Sequence, residues 1–271
     1  MAKDHCSAND NKEQKLFFAK LDDLVDRSDY GVVGGTGFLT PGEQYKAEKY
    51  FLIKGLEERI CFFGGYFAAE RKQIFLFPEY LSEHCGYVSP EEMIAEEYSS
   101  IKAVKIEGSG YRKLTHRDYL GSMLSLGIKR WALGDICILN DHSALVFCIE
   151  EMEKLLLSDL SDIANDKVKV IRAEVDKNMS SAVRLEGHSD TVASERLDCV
   201  VAAICNLSRE NAQGLIKGGL VDRNYDQDLF PDSSVSEEDV ISVRGYGKFI
   251  IREISERTKK GRIRLIFDKY I

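Results

Sequence analysis

The sequence predicts a multidomain α+β protein, and three observations carry that expectation. Residues 102–173 alternate strand and helix periodicities in the order βαββαβ. Residues 194–270 begin with two short amphipathic helices and continue as alternating strands. Polar stretches at 1–15 and 176–193 flank the apolar regions. The division that follows is an N-terminal α/β domain over 1–95, a βαββαβ domain over 96–176 and a C-terminal domain over 181–271. With 271 residues, 44% apolar and 30% charged, the chain is long enough for two or three hydrophobic cores.

The N-terminal domain starts with the polar run 1–15, expected to be flexible. Val32-Val33-Gly34-Gly35-Thr36-Gly37-Phe38-Leu39 imitates a dinucleotide-binding turn, in which glycines admit a pyrophosphate to a helix N-terminus. Asp26-Arg27-Ser28-Asp29 before it is not a buried strand, and Thr40-Pro41-Gly42 restarts the chain. A glycine-rich turn leading into a capped helix, without a cofactor, is the expected element. Glu57-Glu58, Glu91-Glu92 and Glu96-Glu97 lie in charged helical stretches and read as solvated faces.

In the central domain, Lys102–Glu107 alternates as a strand. His116–Leu126 is helical, with Leu120, Met123, Leu124 and the following Ile128 as its core face. Ile136–Leu139 and Ala144–Ile149 form a hairpin across Asn140-Asp141-His142-Ser143, Glu151–Leu160 is a helix, and Val168–Ala173 is the last strand. This order is a ferredoxin-like or RRM-like plan, an RNA-binding scaffold whose presence does not by itself establish function. Its strands lack the aromatic motif that stacks single-stranded bases. RNA contacts here are therefore expected from Arg112, Lys113, His116, Arg117, Lys129 and Arg130. His116-Arg117-Asp118 imitates a kinase catalytic loop, but Met123 stands where that loop needs Asn. The five histidines are isolated and no nucleophile pairs with a base, so no enzyme is expected. Asp176–Ala193 reads as a linker with room for an exposed strand.

In the C-terminal domain, Leu197, Val200, Val201 and Ile204 fall at i, i+3, i+4 and i+7 and put four apolar side chains on one helical face, leaving Arg196 outside it. Ser208 stands where an N-cap belongs, Glu210 sits in the following first turn, and Gly218-Gly219 closes the second helix. Ala212, Leu215 and Ile216 are its buried face; Arg209, Gln213 and Lys217 line the other. Val240–Val243 and Ile263–Phe267 alternate as strands. Between them Gly245-Tyr246-Gly247 reads as a tight bend with Tyr246 as a stacking platform, and Lys259-Lys260-Gly261 as a basic hairpin tip.

Charge sharpens this picture. The chain carries a net −8, yet Arg244–Lys269 holds nine Lys and Arg against three acids, a local +6. Screening over about 8–10 Å lets such a patch attract phosphate despite an acidic whole. No apolar run reaches the roughly 18 residues of a membrane span, and MAKDHCSANDNKEQK lacks the apolar core of a signal peptide, so the expected location is cytoplasmic, with no membrane partner. Seven scattered cysteines, with no C-x-x-C and no Cys/His cluster, read as reduced thiols and exclude an evident metal site.

R-L-D at the first helix, L-S-R at the start of the second and I-K-x-G at its end resemble the alpha-L RNA-binding motif, the S-four domain. The resemblance implies that Arg196, Ser208, Arg209 and Lys217 grip structured RNA; the basic strand and hairpin stretch itself adds Arg244, Tyr246, Lys248, Lys259, Lys260 and Arg262 as expected contacts. Where that family has an Asn-Gly hairpin, this chain has Asn224-Tyr225 and a longer acidic loop, Asp226–Asp239. R-G-Y-G-K-F followed by T-K-K-G-R is similar to the C-terminal end of YlmH-type proteins. Phe38-Leu39-Thr40-Pro41, Phe63-Gly64-Gly65-Tyr66, Ala69-Glu70-Arg71, Leu114–Gly121, Leu126–Arg130 and Gly134-Asp135-Ile136 extend that similarity upstream. It implies a noncatalytic RNA-binding protein of the translation machinery with rRNA of the large ribosomal subunit and tRNA as partners, acting in ribosome quality control, and no small-molecule substrate. The alternatives are an RNA-modifying enzyme of the pseudouridine synthase type and a protein-interaction adaptor linked to cell division, recruited through the acidic first 193 residues.

Overall fold

The computed structural model describes residues 4–81, 89–174, 176–180, 183–257 and 261–271. They form a mixed α+β structure of two compact units, Met1–Ala182 and Val183–Ile271.

The first element is α1 (Asp4–Asp29), so from Asp4 onward the polar run expected to be flexible is helical. No Gly or Pro interrupts residues 1–30, which keeps the polar half helix-compatible, while Leu21 and Leu24 anchor the other half in a core with Ala47 and Phe51 of α2 (Pro41–Ile53). β1 (Gly34–Gly35), β2 (Ile60–Phe63) and β3 (Gln73–Leu76) make a three-stranded sheet in the order β1-β3-β2. α3 (Pro90–Met93) runs into one π-helical turn, Ile94–Tyr98.

The second half of this unit contains β4 (Ile101–Gly108), α4 (His116–Ser125), β5 (Leu133–Asn140), β6 (Ser143–Ile149), α5 (Glu150–Asp159), β7 (Asp162–Ile163) and β8 (Asp166–Arg172). The strands form one antiparallel sheet in the order β5-β6-β4-β8-β7. One expected core position moves: Tyr119 and Met123 are fully buried, whereas Leu124 is 41% exposed. The Thr115–Asp118 capping box starts α4 at His116, and the inward stripe of the helix is then the i, i+4 pair of Tyr119 and Met123, whose aromatic ring buries more area than Leu124 would.

Asp135 ties the two halves together. Its buried carboxylate accepts hydrogen bonds from Tyr66 Oη at 2.7 Å and the backbone N–H of Glu70 at 2.8 Å and Arg71 at 2.9 Å. Arg71 donates in turn to the carbonyls of Leu133, Phe38 and Arg130 at 3.0–3.1 Å, and the Tyr66 ring stacks on Phe147 at 4.9 Å. Gly65 makes that stack possible: it has φ +98°, and a Cβ there would lie 2.6 Å from the Phe147 ring.

The second unit comprises β9 (Leu185–Val192), α6 (Leu197–Ile204), α7 (Arg209–Lys217), β10 (Val221–Arg223), β11 (Asp226–Gln227), β12 (Val240–Val243), β13 (Gly247–Arg257) and β14 (Ile263–Tyr270). The sheet order is β11-β10-β12-β13-β14-β9. The expected linker thus holds the exposed strand it had room for, over Leu185–Val192: β9 pairs with β14 along its length, from Val192↔Ile263 to Leu185↔Tyr270. Its edge position explains the polar sequence, since only one side of the strand is hydrogen-bonded and little of it needs burial. Leu197, Val200, Val201 and Ile204 are buried as the helical spacing predicts, and with Ala212 and Ile216 they cover the sheet face formed by Ile241, Phe249, Ile251 and Leu265. Leu215 is only partly buried.

The hairpin after α7 keeps a two-residue turn despite the missing Asn-Gly pair. Arg223 pairs with Asp226, and Asn224 and Tyr225 between them have φ +52° and +67°, the backbone of a type I′ turn. Asn224 holds that turn to the far end of the acidic loop: Nδ2 donates to Asp239 at 2.6 Å, and Oδ1 accepts from Val240 N at 2.9 Å.

Candidate RNA-binding surface

The surface is assembled where α6 and α7 begin. Arg196 is the N-cap residue of α6 and makes no side-chain cap. The amides that follow are already used: Leu197 N and Asp198 N donate to the carbonyls of Ser233 at 2.8 Å and Pro231 at 2.9 Å. The acidic loop thus closes the N-terminus of α6, leaving its arginine side chain rather than its amides to meet a ligand. Ser208 caps α7 by accepting from Asn211 N at 3.2 Å, and Gly218 with Gly219 at φ +67° ends that helix.

Between the two helix starts lies a carboxylate that reading the sequence missed. Asp198 is fully buried. It accepts from Arg196 Nε at 3.2 Å and Nη2 at 3.3 Å, from Arg209 Nε at 3.0 Å and from Gln213 Nε2 at 2.7 Å. Burial alone would raise its pKa, but the hydrogen bonds from Arg196, Gln213 and Arg209 outweigh burial and hold the carboxyl well below the usual range. Arg209 and Gln213 are consequently not a freely solvated face, as the spacing suggested, because both reach back to α6. The signal was present in Arg196-Leu197-Asp198 and in the four-residue step from Arg209 to Gln213, but the partner is brought in by the tertiary fold.

Other expected residues divide into separate places. Lys217 is exposed one turn beyond Gln213. Arg244 and Tyr246 are exposed in the tight turn joining β12 to β13, flanked by Gly245 at φ +89° and Gly247 at φ +128°. Arg244 N donates to Leu220 O at 2.9 Å, which sets this turn beside the chain leaving α7. Lys248 lies on the opposite sheet face, because the adjacent Phe249 points into the helix-covered core. Its Nζ sits over the rings of Tyr270 at 4.3 Å and Tyr225 at 5.2 Å. Arg262 donates to Thr191 O of β9. Lys259 and Lys260 lie outside the described residues.

The loop Asp226–Asp239 is acidic, but two of its charges are satisfied internally. Asp228 accepts from Arg223 Nε at 3.0 Å, Phe230 N at 3.0 Å and Ser233 Oγ at 2.9 Å. Asp239 accepts from Asn224 and Ser236 N and faces Arg223 Nη1 at 3.5 Å.

In the first unit, His116 opens α4 next to exposed Arg117. Partial desolvation of the His116 ring, and then the charge of Arg130, lower its pKa. Lys129 and Arg130 are exposed at the turn that precedes β5. Arg112 and Lys113 are held locally, Arg112 Nη1 donating to Ala164 O at 3.0 Å and Lys113 pairing with Asp141 at 2.7 Å. The glycine run leads into a capped helix: Thr40 and Glu43 form a capping box at the start of α2, with Thr40 N donating to Glu43 Oε2 at 2.7 Å. It also lines an open cleft of about 350 Å³ with Gln73, Trp131 and Glu151, where the charge contributed is negative and unsuited to phosphate. Among the described residues no group of three or more His, Cys, Asp or Glu is arranged to hold a metal, and no helix is long and apolar enough to cross a membrane.

Comparisons with known proteins bear on both units. Residues 95–177 match the family model described as "Putative RNA-binding domain in YlmH". Over 235 residues the chain is 30% identical to the "Ribosome-associated protein quality control protein P2" of Bacillus subtilis (strain 168), an alignment that covers 86% of each protein. A solved structure, the cell division protein ylmH from Streptococcus pneumoniae, aligns with a TM-score of 0.47 at 19% identity over 60% of this chain and 92% of that one.

Proposed function

This chain belongs to the YlmH family, and from that premise we propose that it is a noncatalytic RNA-binding protein that acts on the ribosome in protein quality control. The observation that carries the reading is the pair of arginines at the starts of α6 and α7, fixed to one buried carboxylate and facing solvent together. Two guanidinium groups held to one anchor suit a phosphate backbone through charge-assisted bonds, and at the start of α7 the helix dipole favours the same anion.

The finer reading has three parts. The C-terminal unit, with its helix pair, type I′ hairpin and β12–β13 turn, supports the S-four assignment, and Arg196, Ser208, Arg209, Lys217, Arg244 and Tyr246 are its proposed RNA contacts, with Lys248, Lys259, Lys260 and Arg262 on its flanks. The order β5-β6-β4-β8 supports a ferredoxin-like central domain within a division into 1–95, 96–176 and 181–271. His116, Arg117, Lys129 and Arg130 are the proposed contacts in that region. The proposed ligand is structured rRNA of the large subunit together with tRNA, in the cytoplasm.

Crosslinking in cells followed by sequencing of the bound RNA tests this. Recovery of large-subunit rRNA and tRNA is the expected result. Recovery of messenger RNA alone, or of no RNA, overturns it, and a specific altered nucleotide that depends on the protein would replace it with RNA modification.

A further inference from the structure

We infer that Asp198 is a positioning residue for RNA, an anion whose removal from a polyanion-binding surface weakens binding. The inference rests on the proposed RNA-binding role of the α6–α7 face and deepens it.

The geometry is specific. Asp198 is completely buried, while the two arginine side chains it holds keep 42% and 53% of their surface exposed. Both guanidinium groups are attached on their Nε side. Among the described residues, Arg209 makes its hydrogen bond through Nε and no other, so both of its Nη groups remain available; Arg196 uses Nε and Nη2 and keeps Nη1. Gln213 takes a further share of Oδ2 at 2.7 Å and so fixes the carboxylate from the second turn of α7. One carboxylate therefore sets the direction of two cations that lie on different helices. Arg209 and Arg196 start with long, rotamer-rich side chains, and fixing them before a ligand arrives removes an ordering penalty that binding would otherwise carry.

The counter-expectation comes from net charge. Replacing Asp198 by Asn leaves the shape unchanged and makes the surface one unit more positive, which by attraction alone tightens binding to a polyanion and steepens its salt dependence. Positioning predicts the reverse. The Asn amide turns a donor towards groups that are themselves donors, the guanidinium groups lose their common anchor, and the phosphate contacts they make together are lost.

The test uses the full chain and purified large ribosomal subunits as the probe, with binding measured across a salt series for wild type, Asp198→Asn, the double variant Arg196→Gln with Arg209→Gln, and Val200→Ala as a core-destabilised control. Asp198→Asn is expected to bind at least about tenfold more weakly, with a log–log salt slope shallower by about one, while Val200→Ala binds like wild type. Wild-type or tighter binding by Asp198→Asn, together with loss of binding in the double arginine variant, overturns the inference and leaves the RNA-binding reading of this face standing. Wild-type binding by the double arginine variant overturns that reading itself. A second measurement is independent of whether the Asn variant folds: in nitrogen-labelled wild-type protein, the Nε–H signals of Arg196 and Arg209 are expected to be slowly exchanging at neutral pH. Fast-exchanging, averaged signals for both would overturn the inference.

Discussion

Asp135 and Asp198 are both buried carboxylates, yet they are satisfied differently. Asp135 collects a phenol and two backbone amides, so its partners are fixed groups of the fold. Asp198 collects side chains that reach the surface. Asp135→Ala would leave one hydroxyl and two amides without an acceptor in a closed interior, and groups stranded in this way lose about 1–3 kcal/mol each. We expect Asp135→Ala to destabilise the first unit by at least about 3 kcal/mol and Tyr66→Phe by about 1 kcal/mol, read as shifts in urea midpoint at unchanged slope. An effect of Asp135→Ala below about 1 kcal/mol would mean that water replaces the carboxylate and that the joint is not closed. For Arg209, side-chain spacing on α7 suggests a residue that could be reversed to Glu without harm to folding. The structure changes that expectation, because a glutamate side chain there would face the buried Asp198 carboxylate at the place where a cation now stands. Arg209→Glu should therefore lower the thermal midpoint as well as RNA affinity, and Arg209→Gln is the cleaner probe of binding.

At the scale of elements, periodic segments were legible and edge or polar ones were not. The stripe Leu197, Val200, Val201 and Ile204 announced α6 because four apolar residues at helical spacing have one buried solution. Ser208 announced the start of α7 for an equally local reason, its side chain satisfying an amide three residues on. Asp4–Asp29 was not legible and Leu185–Val192 only as room for an exposed strand, since what stabilises each lies far along the chain: Ala47 and Phe51 for α1, and the ladder of β14 for β9. The arginines of the candidate surface were likewise visible as residue types, whereas Asp198 was not visible as their anchor, because the contact from Arg209 spans eleven positions. β9 offers a direct test. A fragment beginning at residue 194 loses the β9 ladder and buried Val192, and compared with 183–271 it should be less stable by at least about 2 kcal/mol, or roughly 8–16 °C in a unit of this size. Equal melting temperatures would show β9 to be a passive edge.

Over the whole molecule, the acidic total and the basic C-terminal stretch predict different things, and salt separates them. A chain of net −8 should be repelled by RNA at long range, while the proposed contacts at Arg196, Arg209, Lys217 and Arg244 would meet phosphates at short range. If about five cations displace counterions, log affinity should fall against log salt with a slope of roughly −3.5 to −4.5. A flat response between low and physiological salt would sink the phosphate-contact account. Residues 181–271 should retain most of that affinity and residues 1–176 little of it, and comparable binding by the N-terminal fragment would move the principal interface into the first unit.

The pairing of β9 with β14 also sets an order of events during synthesis. Val192 meets Ile263 and Leu185 meets Tyr270, so the first strand of the second unit waits for the last one before the ladder can form. Contacts this distant in sequence make closure slow compared with local helix formation. While its own chain is still being made, α6 and α7 can form, but the complete sheet against which they pack cannot. An unfinished copy therefore lacks part of the sheet that α6 and α7 pack against, and Arg196 and Arg209 are expected to be set side by side only once β14 has been made.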